Sequence, residues 1–225
     1  MPSYEFDWGI VRESLGQLMA GLKITLEIAI VGMCIALVLG LIVALMRLSA
    51  SRFYSTPADV YTQIMRGIPL LVLLFWIYYG VSAELNINFS PFSAGALALG
   101  LTGSAYMAEV YRGGINAIDP GQREAALAMG LHRGVALRSV ILPQAFRVII
   151  PPTVNVFVGL LKGATIVSVI GVADMLYVAQ IVSLRTFTPF ELYTVAGLIL
   201  VAITVSVAGF SWMLEKRLSR GVIHA

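Results

Sequence analysis

Charge is scarce in this 225-residue chain. Asp, Glu, Lys and Arg make up 12% of it, where an ordinary soluble domain carries roughly 25%. Cysteine is nearly missing as well: Cys34 stands alone and cannot close an intrachain disulfide, which excludes a disulfide-stapled scaffold. Two histidines, His132 and His224, with no Cys or Asp cluster beside them, give neither a metal motif nor a catalytic triad inside an apolar segment. No Gly-Lys dipeptide occurs, so the chain holds no G-x4-G-K-[S/T] phosphate loop. A basic n-region is also lacking, since Glu5 and Asp7 stand in its place, and no signal peptide is expected. What remains is apolar: 59% of the residues are hydrophobic and the mean hydropathy is +0.89. A single buried core cannot absorb that excess. The composition predicts an all-α polytopic membrane protein, and with no repeat or linker to divide it, one transmembrane domain over 1–225.

A helix needs about 20 mostly apolar residues to cross the bilayer core. Charge-free runs occur at 28–46, 67–83, 85–108 and 192–214, and a fifth, 148–173, is broken only by Lys162. The run at 67–83 is short, so its helix is extended back through 62–66. Five spans follow, at about 22–47, 60–83, 90–112, 143–171 and 191–215. The net charge of +3 says less than its placement. Of the 15 basic residues, all but Arg12, Lys23, Lys162 and Arg185 fall on one side of this arrangement. The positive-inside rule then predicts the N-terminus outside and the C-terminus inside.

The loop at about 116–142 is too polar to cross and too apolar to be disordered. Within it Asp119 is a good N-cap, Pro120 suits the first helical position, Gln122 suits a capping box and Gly130 suits C′. The spacing predicts a short capped helix over 120–129. Ala125, Ala126 and Ala128 would let a partner's backbone approach closely. A helix lying on the membrane surface fits the same residues.

Glu124-Ala125-Ala126, Gly130, Val140 and Leu142-Pro143 keep the spacing of the EAA loop, EAA-x3-G-x9-I-x-LP, with Val140 in place of Ile. The chain resembles the permease subunits of ABC importers. Arg66-Gly67-Ile68-Pro69-Leu70-Leu71, Ala105-Tyr106-Met107-Ala108-Glu109, Leu161-Lys162-Gly163 and Thr186-Phe187-Thr188-Pro189 are similar to the branch that carries polar amino acids. The resemblance covers roughly 20–220. It implies a type I (MetI-like) permease of the prokaryotic inner membrane, paired with a second permease, identical or homologous. Two cytosolic ATPases and an extracytoplasmic amino-acid-binding protein complete the implied complex. No cofactor is expected on this chain, and ATP and Mg belong to the partner ATPase. Glu124, Ala125, Ala126 and Gly130 would couple that ATPase to the spans, so the chain itself is expected to be no enzyme. A secondary amino-acid transporter is the alternative, though its usual inverted repeats are not visible here.

Ionisable groups at membrane depth are costly there and usually functional. Lys162 is the clearest, on one helix face with Asn155, Gly159 and Ile166, and Asn155, Lys162 and Thr165 are the substrate-binding candidates. Lys162 can equally snorkel to the outer interface. The family often carries Asp where Gly163 stands, which leans the substrate towards a neutral or acidic amino acid. Arg66 and Glu109 are expected to pair, as an inner gate or as a structural ion pair, with Arg112 three residues from Glu109. Arg185 and Glu191 are candidates to meet the binding protein. Gly95, Gly100, Gly103 and Gly209 are expected at close helix contacts, and Cys34 in packing.

Overall fold

In hydrocarbon, backbone N–H and C=O groups find no water, so a chain this apolar must satisfy them within helices. A computed structural model, which describes residues 6–218, contains helices and turns and no strand among them. Glu5, Arg220 and His224 lie outside the described residues. In chain order the elements are α1 (Gly9–Arg47), α2 (Arg52–Gly67) and α3 (Leu70–Phe75), which runs through a π turn (Trp76–Val81) into α4 (Ser82–Leu85). Next come α5 (Pro91–Asn116), α6 (Pro120–Ala128) and α7 (Arg133–Ala136), which passes through a second π turn (Leu137–Ile141) into α8 (Leu142–Gly163). A 3-10 stretch (Ala164–Ile170), α9 (Met175–Thr186) and α10 (Pro189–Leu218) complete the chain.

Among the described residues, three stretches are long and apolar enough to cross a bilayer: Gly9–Arg47, Arg133–Ile170 and Pro189–Arg217. A bent pair, Arg52–Gly67 with Leu70–Leu85, makes a fourth if it counts as one span. Two helix boundaries differ from the expected span limits. The first helix begins at Gly9 rather than near 22, because 9–21 is helical although Arg12 and Glu13 lower its apolarity. The helix expected over 60–83 is broken: Ile68 and Pro69 are extended (ψ 128° and 131°), and the second arm is bent by 105° from the first. Pro69 has no N–H to give, and it drives the residue before it out of the α region. α5 falls short of span-like apolarity because Gly, Ser and Thr replace large side chains along it.

Those small residues are what α5 uses to pack on α1. The helices run parallel: a Cβ on Gly32 would stand 2.9 Å from Leu99 Cβ, and one on Gly40 would stand 2.6 Å from Met107 Cβ. From the other side, a Cβ on Gly100 would meet Ile35 at 2.5 Å and one on Gly103 would meet Ala36 at 2.9 Å. Gly95 likewise admits Val167 of the 3-10 stretch, at 2.7 Å. Gly209 differs from the expectation, with nothing within 4 Å, and Cys34 is exposed on α1 rather than packed. Ile28, Ala36, Leu99, Met107, Leu161 and Val167 are nearly sealed in the core around this contact.

A second contact anchors α9 to α1. Gly21 admits the Asp174 backbone, since a Cβ there would stand 2.8 Å from the Asp174 carbonyl oxygen. Thr25 Oγ1 donates to the Gly21 carbonyl (3.1 Å) and accepts from the Met175 N–H (3.2 Å). Asp174 caps α9 by accepting the Tyr177 N–H at 2.9 Å, while its Oδ2 is buried without a hydrogen-bond partner. Burial pushes this carboxyl up to about 6, against the pull of the capping amides. An acid whose folded value lies above its unfolded one, about 3.9, binds more protons when folded. Stability is therefore fully present below pH 4 and falls as pH rises towards 6. Asp174→Asn keeps the capping oxygen and removes the charge. Its thermal midpoint is expected above that of the parent at pH 7.5, with the gap closing towards pH 4; an equal gap at both pH values would contradict the burial of a carboxylate.

Candidate functional site

α6 is the helix that the loop chemistry predicts. Asp119 accepts the Gly121 N–H at 2.6 Å and Pro120 opens the first turn. Gly130 takes φ +81°, and two bonds close the C-terminus: Gly130 N–H to Leu127 O (3.0 Å) and Leu131 N–H to Ala126 O (3.1 Å). That is the paired pattern of a Schellman ending, which needs a left-handed residue at C′. Gln122 does not close a capping box. Its Oε1 instead accepts from Gln144 Nε2 (3.4 Å), and the same Nε2 donates to Val140 O (3.0 Å). α6 is thereby tied to the base of α8.

The four candidate coupling residues divide by direction. Glu124, Ala125 and Gly130 are exposed, and Met129 beside them is 73% exposed. Ala126 is 1% exposed. Ala126 is thus the one of the four that is turned inward, while the other three face out.

From that base, the stretch Arg133–Ile170 is helical throughout and ends at the substrate candidates. α8 changes to 3-10 geometry after Gly163, where Thr165 Oγ1 donates to the Lys162 carbonyl (2.8 Å) and Ser168 Oγ to the Thr165 carbonyl (2.9 Å). Hydroxyls thus satisfy carbonyls at the change of pitch. Leu161, Lys162 and Thr165 form one wall of a cleft of about 210 Å³ whose other wall is Leu200 and Thr204 of α10. Lys162 is exposed and has no ion-pair partner among the described residues. Asn155 is exposed on α8 but does not line the cleft; it lies seven residues back, about 10 Å along the axis. Sequence reasoning missed Thr204, although a hydroxyl inside the charge-free run 192–214 is the signal that marks it. Gly163 faces elsewhere: a Cβ there would meet Leu70 Cδ2 at 2.9 Å and Leu99 Cδ2 at 3.1 Å, in a contact with no room for water. A side chain at 163 would press on those leucines, so the charge of the cleft is set by Lys162 alone among its lining residues.

Arg66 and Glu109 do meet, at 3.3 Å, within a larger cluster. Arg112 reaches Glu109 Oε2 at 2.7 Å and Arg47 Nη1 reaches Oε1 at 2.9 Å, the latter an ion pair without hydrogen-bond alignment. Arg47 Nε also holds Asp59 at 2.6 Å, and the Arg66 guanidinium lies 5.6 Å from the centre of the Tyr106 ring. Three cations from α1, α2 and α5 therefore surround one carboxylate. Arg47 and Asp59 were not foreseen, because nothing in the primary structure says which helix ends come together. At the other end of the molecule, Glu191 is fully buried and accepts the Asp7 N–H at 2.8 Å, so it has no surface for a binding protein; Arg185 remains exposed.

Residues 36–220 match the family model described as the binding-protein-dependent transport system inner membrane component. The chain belongs to this family. It is a permease component of the inner membrane, with the all-helical fold of ABC-importer permeases. The arginine transport system permease protein ArtQ of Bacillus subtilis (strain 168) is 37% identical over 201 residues, covering 89% of this chain and 92% of that one. The putative glutamine transport system permease protein GlnP of Rickettsia bellii (strain RML369-C) is 37% identical over 198 residues, covering 88% and 91%. A solved structure described as an amino acid ABC transporter with histidines superposes with a TM-score of 0.90 at 36% identity, covering 95% of this chain and all of that one.

The side chain of Arg47 is 10% exposed and that of Arg66 is 44% exposed. Solvent screens the outer pair far more than the inner one. Arg47→Met is therefore expected to lower the thermal midpoint of the purified permease clearly more than Arg66→Met does. Equal losses would show that the cluster does not depend on its buried member.

Proposed function

We propose that this chain is one of two permease subunits, identical or homologous, of an ABC importer for a polar amino acid. Its five spans place the N-terminus outside and the C-terminus inside, with α5 as the third span, kept among the other helices by its small residues. The helical arm after the bend, Leu70–Leu85, supplies the second. ATP and Mg act on a cytosolic ATPase dimer, and an extracytoplasmic binding protein delivers the substrate.

The observation that carries the reading is α6. A short helix capped at both ends, with Glu124 and Ala125 outward, is joined through Gln122 and Gln144 to the base of α8. α8 in turn carries Lys162 into the cleft. A partner that moves α6 thus moves one wall of the cleft against Leu200 and Thr204 on α10. Glu124→Arg or Gly130→Leu is expected to leave the spans folded and to abolish most substrate-stimulated ATP hydrolysis by the assembled transporter. Normal coupled hydrolysis in both variants would sink the assignment of α6. Uptake that persists with a catalytically dead ATPase would favour a secondary transporter instead.

For the substrate, an ammonium with no carboxylate beside it suits a ligand's carboxylate, and Thr165 and Thr204 suit its polar atoms. The relatives named for arginine and for glutamine bracket the choice. A neutral or acidic amino acid fits a cleft whose one charge is positive. Reconstituted with its binding protein, the transporter is expected to respond to glutamine or glutamate more than to arginine, and Lys162→Met is expected to remove most of that response. Preference for arginine would reject the substrate class, and full activity of Lys162→Met would reject the site.

A further inference from the structure

α2 has two opposite faces. Ala58 and Thr62 are buried against the protein, and the side-chain hydroxyl of Tyr61 reaches Ser104 Oγ at 2.6 Å on α5. Phe53, Val60 and Ile64 are 80%, 51% and 48% exposed and, with exposed Pro57, follow the i, i+4, i+7, i+11 spacing of a single helix face. That stripe points away from the bundle.

The direction of α2 says what it points at. α2 starts five residues after α1 ends, so it begins at the depth of the last turn of α1. It is then held at that level along its length: Asp59 pairs with Arg47 on that last turn, and Arg66, two turns further on, pairs with Glu109, which Arg47 also contacts. The 105° bend before α3 turns it across the direction of the following apolar arm. Leu41, Ile42, Leu45 and Leu48 at the end of α1 are exposed in the same way. Arg52 and Arg66 are exposed at the two ends of α2, as cations of an in-plane helix are at the headgroups.

We infer that α2 lies in the plane of the bilayer, within the leaflet at which α1 ends, with Phe53, Val60 and Ile64 in the acyl chains and Arg52 and Arg66 among anionic headgroups. The occupant of the stripe is lipid. Exposed Tyr54 then sits at the interface that amphipathic aromatic rings favour. The Arg47–Asp59–Glu109 cluster sits directly beneath the headgroups, pinned from the membrane side by α2. This placement does not depend on the identity of the substrate or on ATP, and only the naming of the leaflet as cytoplasmic rests on the orientation proposed above.

Nitroxide labels test it, placed singly on cysteines at Val60, Ile64 and Gln63 in a Cys34→Ser background. The full-length permease is used within its assembled transporter, in nanodiscs of phosphatidylethanolamine and phosphatidylglycerol. Labels at 60 and 64 are expected to collide several-fold more with oxygen than with a water-soluble nickel chelate and to lie about 5–10 Å below the phosphates. The label at 63 is expected to reverse that preference. Preference for nickel at 60 and 64 would overturn the inference, because the stripe would then face the cytosol. Shielding from both reagents, with dipolar broadening between labels on two copies, would overturn it in favour of a protein interface. The unsubstituted chain gives an independent measurement: a phospholipid with a diazirine on its acyl chain is expected to label a peptide containing 53–64, and no label there would contradict the placement.

Discussion

Two helices can approach closely only where their facing side chains are small, and α1 and α5 meet that condition over several turns. Gly32, Ala36 and Gly40 on one helix meet Leu99, Gly103 and Met107 on the other. A larger side chain at either glycine would drive the backbones apart, because the opposing atoms already stand where its Cβ would be. In a membrane this contact gains little from the hydrophobic effect, since lipid is as apolar as leucine, and packing has to hold it. The rest is arranged around the pair. Gly95 extends the same surface to the 3-10 stretch, and Gly21 extends it to the start of α9. The ends of the two helices bring Arg47, Glu109 and Arg112 together, and α2 closes over them.

One mechanical line runs through the molecule from that frame. α6 sits on the loop through Ala126 and is tethered through Gln122 to Gln144. From Arg133 to Ile170 the backbone is helical, with a π turn near one end and a 3-10 segment at the other. Both irregular segments lie where something has to be aimed. The π turn leads into α8, and Lys162 at the end of α8 and Thr165 at the start of the 3-10 segment line the cleft. The charge cluster stands beside this line, and the end of α5 meets the base of α8 where Gly114 admits Ile149.

Much of this was legible in the primary structure, and the misses share a cause. The capped helix could be read residue by residue, because Asp119, Pro120 and Gly130 act on the backbone beside them. Pro69 carries a local reason for the break, its missing N–H and its effect on Ile68, but the 105° angle depends on what each arm packs against. The start of α1 was missed because Arg12 and Glu13 lower the hydropathy of a stretch that is helical all the same. Arg66 with Glu109 was foreseen from their shared depth. Arg47 and Asp59 were not, and neither were Leu200 and Thr204 opposite Lys162. Ala126 and Glu191 were read as surfaces, yet both are buried.

By itself the sequence determined a membrane-embedded helical permease and the capped helix Pro120–Ala128 of its polar loop. Hydropathy, charge placement and capping act over a few residues, so a linear reading reaches them. The tertiary structure alone decided which charges surround Glu109, which face of α6 is open, what stands across the cleft from Lys162 and how sharply α2 turns. Each depends on the approach of helices far apart in the chain, and that approach is governed by how small side chains fit against large ones in three dimensions.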